Sequence, residues 1–274
     1  MGLRSWIKRK MGQTGPVVPV VRLHGVIAAD QRPGRLNIET VAPLLKRAFA
    51  VKSAAAVAII INSPGGSAVQ SRLISKRIRD LADEHHKPVL VFVEDAAASG
   101  GYFIATAGDE IIADPSSIVG SIGVIFAGFG FVETLKKVGV DRRVHTAGRN
   151  KSTLDPFLPE KPEDVERIKQ MESEIHQVFI DWVKQRRGER LKASDDQLFT
   201  GEFWSGVKGL ELGLVDGLGD LHEVLQSRFG DKVELLPIAP KRGLLTLPRV
   251  GLAALTGDIA ASIEDRSVWA RLGL

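Results

Sequence analysis

The chain has 274 residues, of which 44% are hydrophobic, and this is enough apolar material for a substantial buried core. It has no cysteine, so disulfides, thiolate metal sites and a cysteine nucleophile are excluded. Its 37 basic and 33 acidic residues nearly balance, and a single tyrosine is present for base stacking, so we expect no nucleic-acid partner.

Residues 1–15 form a basic N-terminal tail. It contains four cations and no acidic residue, the cations being Arg4, Lys8, Arg9 and Lys10. Together with Trp6 they would allow peripheral contact with an anionic membrane surface. No apolar run reaches the roughly 18 to 20 residues of a spanning helix, and "PVVPVV" is too short and too proline-broken for a signal peptide. We therefore expect a cytoplasmic protein whose tail is able to touch a membrane.

Three short apolar runs, at 17–23, 57–61 and 89–93, alternate with segments that have helical apolar spacing. Near-continuous apolar strands between amphipathic helices predict an α/β fold with a buried, largely parallel sheet and crossover helices. Asn37 is expected to cap the first helix. The buried stripe of that helix is expected to be Ile38, Val41, Leu44, Leu45 and Ala48, and that of the second Val69, Leu73, Ile74, Ile78 and Leu81.

The second half of the chain predicts further strands at 118–126, 142–148 and 232–238. A short helix is expected around Val132, Leu135 and Val138, and a long one from Pro162 to about Gly188. The expected buried stripe of the long helix is Val165, Ile168, Met171, Ile175, Val178, Phe179 and Trp182. With no linker and no internal duplication, we expect one domain over 16–240, followed by a helical C-terminal extension over 241–274.

Two glycine-bearing turns, "INSPGGS" (61–67) and "AAASGG" (96–101), follow two of the predicted strands. Because parallel strands end at the same edge of a sheet, both turns are expected to face one crevice. Glycines there let backbone N–H groups point at a developing negative charge, beside the hydroxyl of Ser99. The pattern therefore predicts an oxyanion hole and a serine nucleophile, although glycines that only make tight turns would leave the same pattern.

A serine nucleophile needs a group that removes its proton. A Ser-His-Asp triad would have to use His85 or His145, because no histidine lies between Ser99 and Phe131. The other candidate base is Lys151, in a loop that follows the strand expected at 142–148. To act at neutral pH, its pKa of about 10.4 would have to fall by roughly 2 to 3 units through burial, and Ser121 could hydrogen-bond the neutral amine.

Three motifs in this order resemble the signal peptide peptidase A family of Ser-Lys serine peptidases, whose fold is ClpP/crotonase-like. They are "INSPGGSAVQS", "AAASGGYFIATAGDEIIADPSSIVGSIGVI" and "AGRNKSTLDPF", and the resemblance extends over 17–236. It implies that Ser99 is the nucleophile and Lys151 the base. It also implies that Gly66 and Gly100 supply oxyanion-hole N–H groups and that Ser121 contacts the lysine.

The resemblance also implies an assembly and a substrate class. In short members with one copy of the fold, serine and lysine meet across a subunit boundary in a ring, so we expect a homo-oligomer. The expected activity is endopeptidase cleavage of signal-peptide remnants or other apolar peptides, with no metal or organic cofactor.

This sequence departs from related patterns at two places. Family members usually have a membrane anchor where this chain has its basic tail. A ClpP-type triad would need a histidine where Val124 stands, which disfavours that triad. Two other functions stay open: a crotonase-type acyl-CoA enzyme, which would use the same N–H pair on a thioester enolate, and a non-catalytic oligomeric scaffold.

Overall fold

The computed structural model describes residues 15–32, 34–240 and 265–274. The strands within these ranges are β1 (Val17–His24), β2 (Val26–Ile27), β3 (Arg35–Leu36), β4 (Val57–Ser63), β5 (Val89–Ala98), β6 (Glu110–Ala113), β7 (Ile118–Gly120), β8 (Phe203–Ser205), β9 (Gly217–Leu218) and β10 (Glu234–Pro237). The helices are α1 (Ile38–Phe49), α2 (Ala68–His85), α3 (Gly100–Ala105), α4 (Val132–Lys137), α5 (Pro162–Arg187), α6 (Asp195–Leu198), α7 (Gly206–Leu212) and α8 (Leu221–Phe229).

The main sheet is largely parallel, as the sequence predicted. Its strands follow the order β10-β1-β4-β5-β6-β9, and every neighbouring pair on this path is parallel. Beyond the end of β6, β7 pairs parallel with β5, and β8 pairs antiparallel with β7. The α/β architecture with crossover helices is confirmed, and β4 and β5 lie side by side in its middle.

The sheet separates two apolar layers because its central strands are buried on both faces. One layer packs Ile61 and Val91 against α1, α2 and α3. The other packs Leu90 and Phe92 against Leu225 of α8. Burial on both faces explains why these strands read as unbroken apolar runs in the sequence.

The first crossover helix begins as expected. Asn37 caps α1, because its side chain accepts a hydrogen bond from the Thr40 N–H at 2.9 Å, and Thr40 Oγ1 accepts one from the Asn37 N–H at 3.4 Å. The second helix is also confirmed, but its predicted stripe is wrong at two positions. Val69 is 66% exposed and Leu73 is 37% exposed, because the buried face of the first turns of α2 is formed by Ser71, Ile74 and Ser75 instead.

Residues 124–161, called the arm below, do not join the core. No residue of the arm is buried, and α4 within it has no buried residue either. The strand expected at 118–126 ends at Gly120, and the strand expected at 142–148 is not formed. The physical reason is pairing: in the described part of the chain, no other strand lies alongside these residues.

The long helix α5 is confirmed, but its predicted buried stripe is mostly wrong. Of the seven residues expected inside, only Phe179 is buried, while Met171 and Val178 are exposed. Only the C-terminal part of α5 reaches the sheet layer, where Phe179 and Val183 pack. Its first turns contact the arm instead, through the hydrogen bond from the Leu154 N–H to Asp164 at 3.5 Å.

The chain ends are only partly described. Most of the basic tail expected at 1–15 and most of the extension expected at 241–274 lie outside the described residues, so those domain limits stay predictions. The strand expected at 232–238 is confirmed as β10, which pairs with β1. Residues 265–270 are helical. Among the residues that the structure describes, no helix has the length and apolar character needed to cross a membrane.

Candidate active site

Ser99 occupies a strained turn between β5 and α3. Its φ of 52° and ψ of −120° belong to a region that non-glycine residues rarely adopt. The Ser99 N–H donates to the Gly120 carbonyl at 2.8 Å, which holds the turn. Its side chain makes no capping hydrogen bond, so the hydroxyl is presented at the carboxyl edge of the sheet. A sharp strand-to-helix turn of this kind is typical of serine nucleophiles.

The second glycine turn packs directly against this serine. A Cβ on Gly65 would lie 2.8 Å from Ser99 Cβ and 3.0 Å from Gly100 N. Gly66 has a φ of 137°, and a Cβ there would overlap the Ile27 carbonyl oxygen. Gly65 also has a positive φ, of 105°, so both positions require glycine for their backbone conformation as well as for close approach.

Two N–H groups are available beside the hydroxyl. The Gly66 nitrogen lies 3.4 Å from the position that a Cβ on Gly100 would take, so the two glycines are close neighbours. Gly100 is the first residue of α3 and has no intrahelical acceptor for its N–H. Among the described residues, neither N–H donates to another backbone carbonyl. This pair of donors is able to hold an oxyanion.

Ser121 lies next to Ser99. The register of β5 and β7 pairs Ala98 with Gly120, so the following residues, Ser99 and Ser121, leave the sheet side by side. The Ser121 N–H donates to the Glu202 carbonyl at 2.7 Å, and its φ of 54° is again unusual for a non-glycine residue. The structure thus brings Ser99, Gly66, Gly100 and Ser121 together.

Lys151 is not brought to this crevice within one chain. It is exposed, in a turn of the arm closed by its N–H donating to the Gly148 carbonyl at 3.2 Å. Leu154, just beyond the turn, contacts Asp164 at the start of α5, whereas Ile175 of the same helix lines the crevice. At the α-helical rise these two positions are about 16 Å apart along the axis.

The histidine alternatives are not assembled either. His85 is the last residue of α2, about 25 Å along the helix from its first turn, which borders the crevice. His145 is exposed in the arm. His176 Nε2 lies 3.0 Å from the Ile122 carbonyl oxygen. No described histidine contacts Ser99, so a Ser-His-Asp triad is not formed within the chain.

The helix that follows the serine, α3, is held in place by buried contacts of Tyr102 and Gly101. Tyr102 is fully buried, and its O–H donates to the Leu214 carbonyl at 2.7 Å. Burial raises the pKa of Tyr102 above its ordinary value, so the phenol stays a neutral donor. Gly101 fits against Ser63, where a Cβ would approach the carbonyl oxygen to 2.6 Å. These contacts fix α3, and with it the position of Ser99.

A cavity of about 360 Å³ opens beside Ser99. Its lining is mainly apolar and includes Val69, Phe103, Val124, Ile125, Ile175, Val178 and Phe179. Phe103 packs on Phe179 with ring centroids 4.9 Å apart. The sequence could not point to this cavity, because its walls come from α2, α3, α5 and the arm, which are far apart along the chain. Among the described residues, no cluster of acidic and histidine side chains is arranged to hold a metal ion.

Comparisons with known proteins agree with this geometry. The profile of Peptidase family S49 matches residues 82–232. The chain is 31% identical to the probable protease SohB of Buchnera aphidicola subsp. Schlechtendalia chinensis, over 81% of this chain and 70% of that protein. Among solved structures, a mutant of the 1510-N membrane-bound stomatin-specific protease matches 83% of this chain and 99% of its own, with a TM-score of 0.53 and 18% identity. That likeness supports the ClpP/crotonase-like fold.

A further relative has an unexpected name. The chain is 56% identical to a protein of Brucella abortus (strain 2308) named Na(+)/H(+) antiporter NhaA, over 99% of this chain. The chain spans only 39% of the length of that relative. Most of that protein therefore has no counterpart in this chain, and its name is not evidence for what this chain does. The family profile covers more than half of this chain, and the SohB relative is matched over most of its length. This chain therefore belongs to Peptidase family S49.

Proposed function

We propose that this chain is a serine peptidase that hydrolyses peptide bonds with Ser99 as nucleophile and Lys151 of a neighbouring copy as base. The observation that carries the proposal is the strained turn that presents the Ser99 hydroxyl beside the N–H groups of Gly66 and Gly100. Membership of Peptidase family S49 supports the same reaction.

The reaction follows from these groups. Neutral Lys151 removes the proton from Ser99 Oγ, which attacks the peptide carbonyl carbon while the carbonyl π electrons move to oxygen. The N–H groups of Gly66 and Gly100 hold this oxyanion, and each such donor is typically worth about 2.7 to 4 kcal/mol. The C–N bond then breaks as the lysine returns the proton to the leaving amine. Water, activated in the same way, releases the acyl group from the serine.

Within one chain Lys151 is exposed and lies away from Ser99, and a neighbouring copy would change both conditions. A lysine acts as a base only when its amine is uncharged, and burial favours the uncharged form. Docking of the arm against a second copy would bury the Lys151 amine and bring it to Ser121. The exposed apolar side chains of the arm, such as Ile125, Phe126 and Phe129, support such docking, because a monomer rarely exposes neighbouring apolar residues without a binding role.

The substrates are proposed to be extended apolar peptides, such as signal-peptide remnants. The cavity beside Ser99 supports this class, because Phe103, Ile175 and Phe179 offer apolar surface to one substrate side chain next to the scissile bond. A solved structure of similar fold is that of a protease in complex with a substrate peptide, which supports a peptide-binding site in this fold.

A labelling experiment tests the nucleophile. A fluorophosphonate probe should label the wild-type chain and the Ser116→Ala variant, which alters an exposed serine outside the crevice, but not Ser99→Ala. Undiminished labelling of Ser99→Ala would end the assignment. Binding of coenzyme A with full tolerance of Ser99→Ala would favour an acyl-CoA enzyme. An intact oligomer with neither labelling nor peptide cleavage would favour a scaffold.

A further inference from the structure

The C-terminal residues 265–274 dock on the carboxyl end of β1. The Trp269 ring stacks on the His24 ring, with centroids 6.2 Å apart and planes 27° from parallel. Asp265, at the start of this segment, accepts a hydrogen bond from Arg35 Nη2 at 2.9 Å. The end of the chain is therefore attached to β1 and β3.

Arg35 is the centre of this attachment. Its side chain is only 7% exposed, and it pairs with Asp30 as well as with Asp265. Burial alone would raise the pKa of Asp30, but hydrogen bonds from the Arg32 N–H and from Arg35 outweigh it and hold that pKa below its ordinary value. A buried guanidinium needs polar partners, and the loss of the Asp265 carboxylate would remove one of the carboxylates that pair with Arg35.

Backbone hydrogen bonds connect the strand of Arg35 to the turn that contains Gly65 and Gly66. β2 and β3 pair Val26 with Arg35 and Ile27 with Leu36. The Ile27 N–H donates to the Gly65 carbonyl at 2.8 Å, and the Ile27 carbonyl accepts from the Ser67 N–H at 2.8 Å. Ile27 thus holds Gly66 from both sides, and Arg35 is paired with the residue just before it.

We propose that Arg35 is a positioning residue, which uses the docked C-terminal segment to fix Ile27 and so aims the Gly66 N–H at the oxyanion. This inference rests on the proposed function, because it takes Gly66 as an oxyanion donor. Neither Arg35 nor the segment 265–274 lines the cavity beside Ser99. The effect therefore falls on transition-state stabilisation and not on the binding of a substrate side chain.

The test uses the full-length chain with Asp265→Asn and an apolar fluorogenic peptide. Asp265→Asn should lower kcat about tenfold with KM within twofold, because an oxyanion donor misplaced by a fraction of an ångström loses much of its effect. Hydrogen exchange at the amides of Ile27 and Ser67 should become about tenfold faster. The matched control is Arg271→Ala, an exposed position of the same segment, which should change neither. Asp265→Glu, which keeps the carboxylate, should restore most of both.

Each outcome decides the inference. Unchanged amide exchange in Asp265→Asn overturns it, and so does faster exchange with unaltered kcat. A rise in KM at constant kcat also overturns it, because that result assigns the segment to substrate binding. Failure of the proposed function looks different: Ser99→Ala would keep its activity, while the exchange rates would still report whether the C-terminal segment holds the Gly66 turn.

Discussion

The turn that carries Ser99 and the arm that carries Lys151 contrast within one chain. Around the serine, Gly100, Gly101 and Tyr102 are buried, and a Cβ added at Gly100 or Gly101 would come within 2.3 or 2.6 Å of a neighbouring atom. In the arm, no residue of 124–161 is buried and large apolar side chains face outward. One region is complete as a folded unit, whereas the other carries Lys151 and exposed apolar side chains and touches α5 without burying any of its own residues.

This difference separates the part of the proposed site that one chain forms when it folds from the part that is proposed to need assembly with a second copy. Ordering a backbone costs about 1 to 2 kcal/mol per residue, and the serine turn recovers this cost from sheet pairing and core burial. In the arm, this free-energy cost is not offset in the same way, because residues 124–161 form no strand and bury no side chain. We infer that its order and its function depend on contact with a neighbouring copy, and the predictions below test this division from the largest expected effect to the smallest.

The largest effect is expected from Lys151→Ala. Removing a general base should lower kcat by about 10²- to 10⁴-fold, measured by cleavage of an apolar fluorogenic peptide. Lys136→Ala is the matched control: it removes another exposed lysine of the arm, whose partner is Glu133, and should leave the rate unchanged.

Mixing the two inactive variants, Ser99→Ala and Lys151→Ala, sharpens the comparison. If each copy lends its arm to a neighbour, hybrid assemblies contain sites with both intact residues, and part of the activity should return. Hybrid assemblies that form but stay inactive would show that serine and lysine are not shared between copies.

A smaller but still large effect is expected on the folded unit from Arg187→Met. The Arg187 side chain is 1% exposed, donates to Asp216 at 2.6 Å and bonds the Gly213 carbonyl. Loss of one partner of a buried pair typically costs about 3 to 5 kcal/mol of the free energy of unfolding, measured by urea denaturation. Lys184→Met, on the same helix, breaks an exposed pair with Asp195 and should cost less than about 1 kcal/mol.

The same pair predicts a pH dependence. Partial burial alone would raise the pKa of Asp216, but the Arg187 guanidinium and the Ile111 N–H hold it below its ordinary value. Its stabilising contribution is therefore full above the unfolded pKa of about 3.9 and is lost as the pH falls through the lower, folded value. Asp216→Asn should flatten the acid limb of stability against pH; an unchanged limb would contradict this assignment.

The smallest effect on stability is expected in the arm. Phe129 is 81% exposed, so Phe129→Ser should alter the free energy of unfolding of the subunit by no more than about 0.5 kcal/mol. Assembly should weaken by about tenfold, which is about 1.4 kcal/mol, measured by sedimentation over a dilution series. The control is Lys137→Ser, which makes a substitution to the same residue at an exposed polar position of the arm. A large loss of subunit stability with intact assembly would remove the distinction between the two regions.

The sequence predicted that the two glycine turns meet at one edge of the sheet, and this prediction has a physical basis. Buried parallel strands must be apolar on both faces, and their carboxyl ends must meet at one edge. The runs ending at Ser63 and Ala98 therefore located both glycine turns. The cap at Asn37 and the late strand β10 were predictable from equally local signals.

The arm side was predictable only in part. The residues 142–148 have strand-like composition, but a strand forms only where another strand pairs with it, and composition does not supply that neighbour. Met171 and Val178 repeat at helical spacing, which predicts an apolar face without saying what covers it. The contact between Arg35 and Asp265 joins residues 230 positions apart, and no local sequence pattern predicts such a pair.

The buried hydroxyl of Tyr102 has a consequence for the conditions under which the chain works. An amine base is most often neutral in alkaline solution, where many hydrogen-bonded phenols begin to ionise. Because burial raises the pKa of Tyr102, its anchoring contribution stays full up to the unfolded tyrosine value of about 10 and weakens only above it. The support beneath the nucleophile therefore tolerates the alkalinity that would favour a lysine-driven reaction.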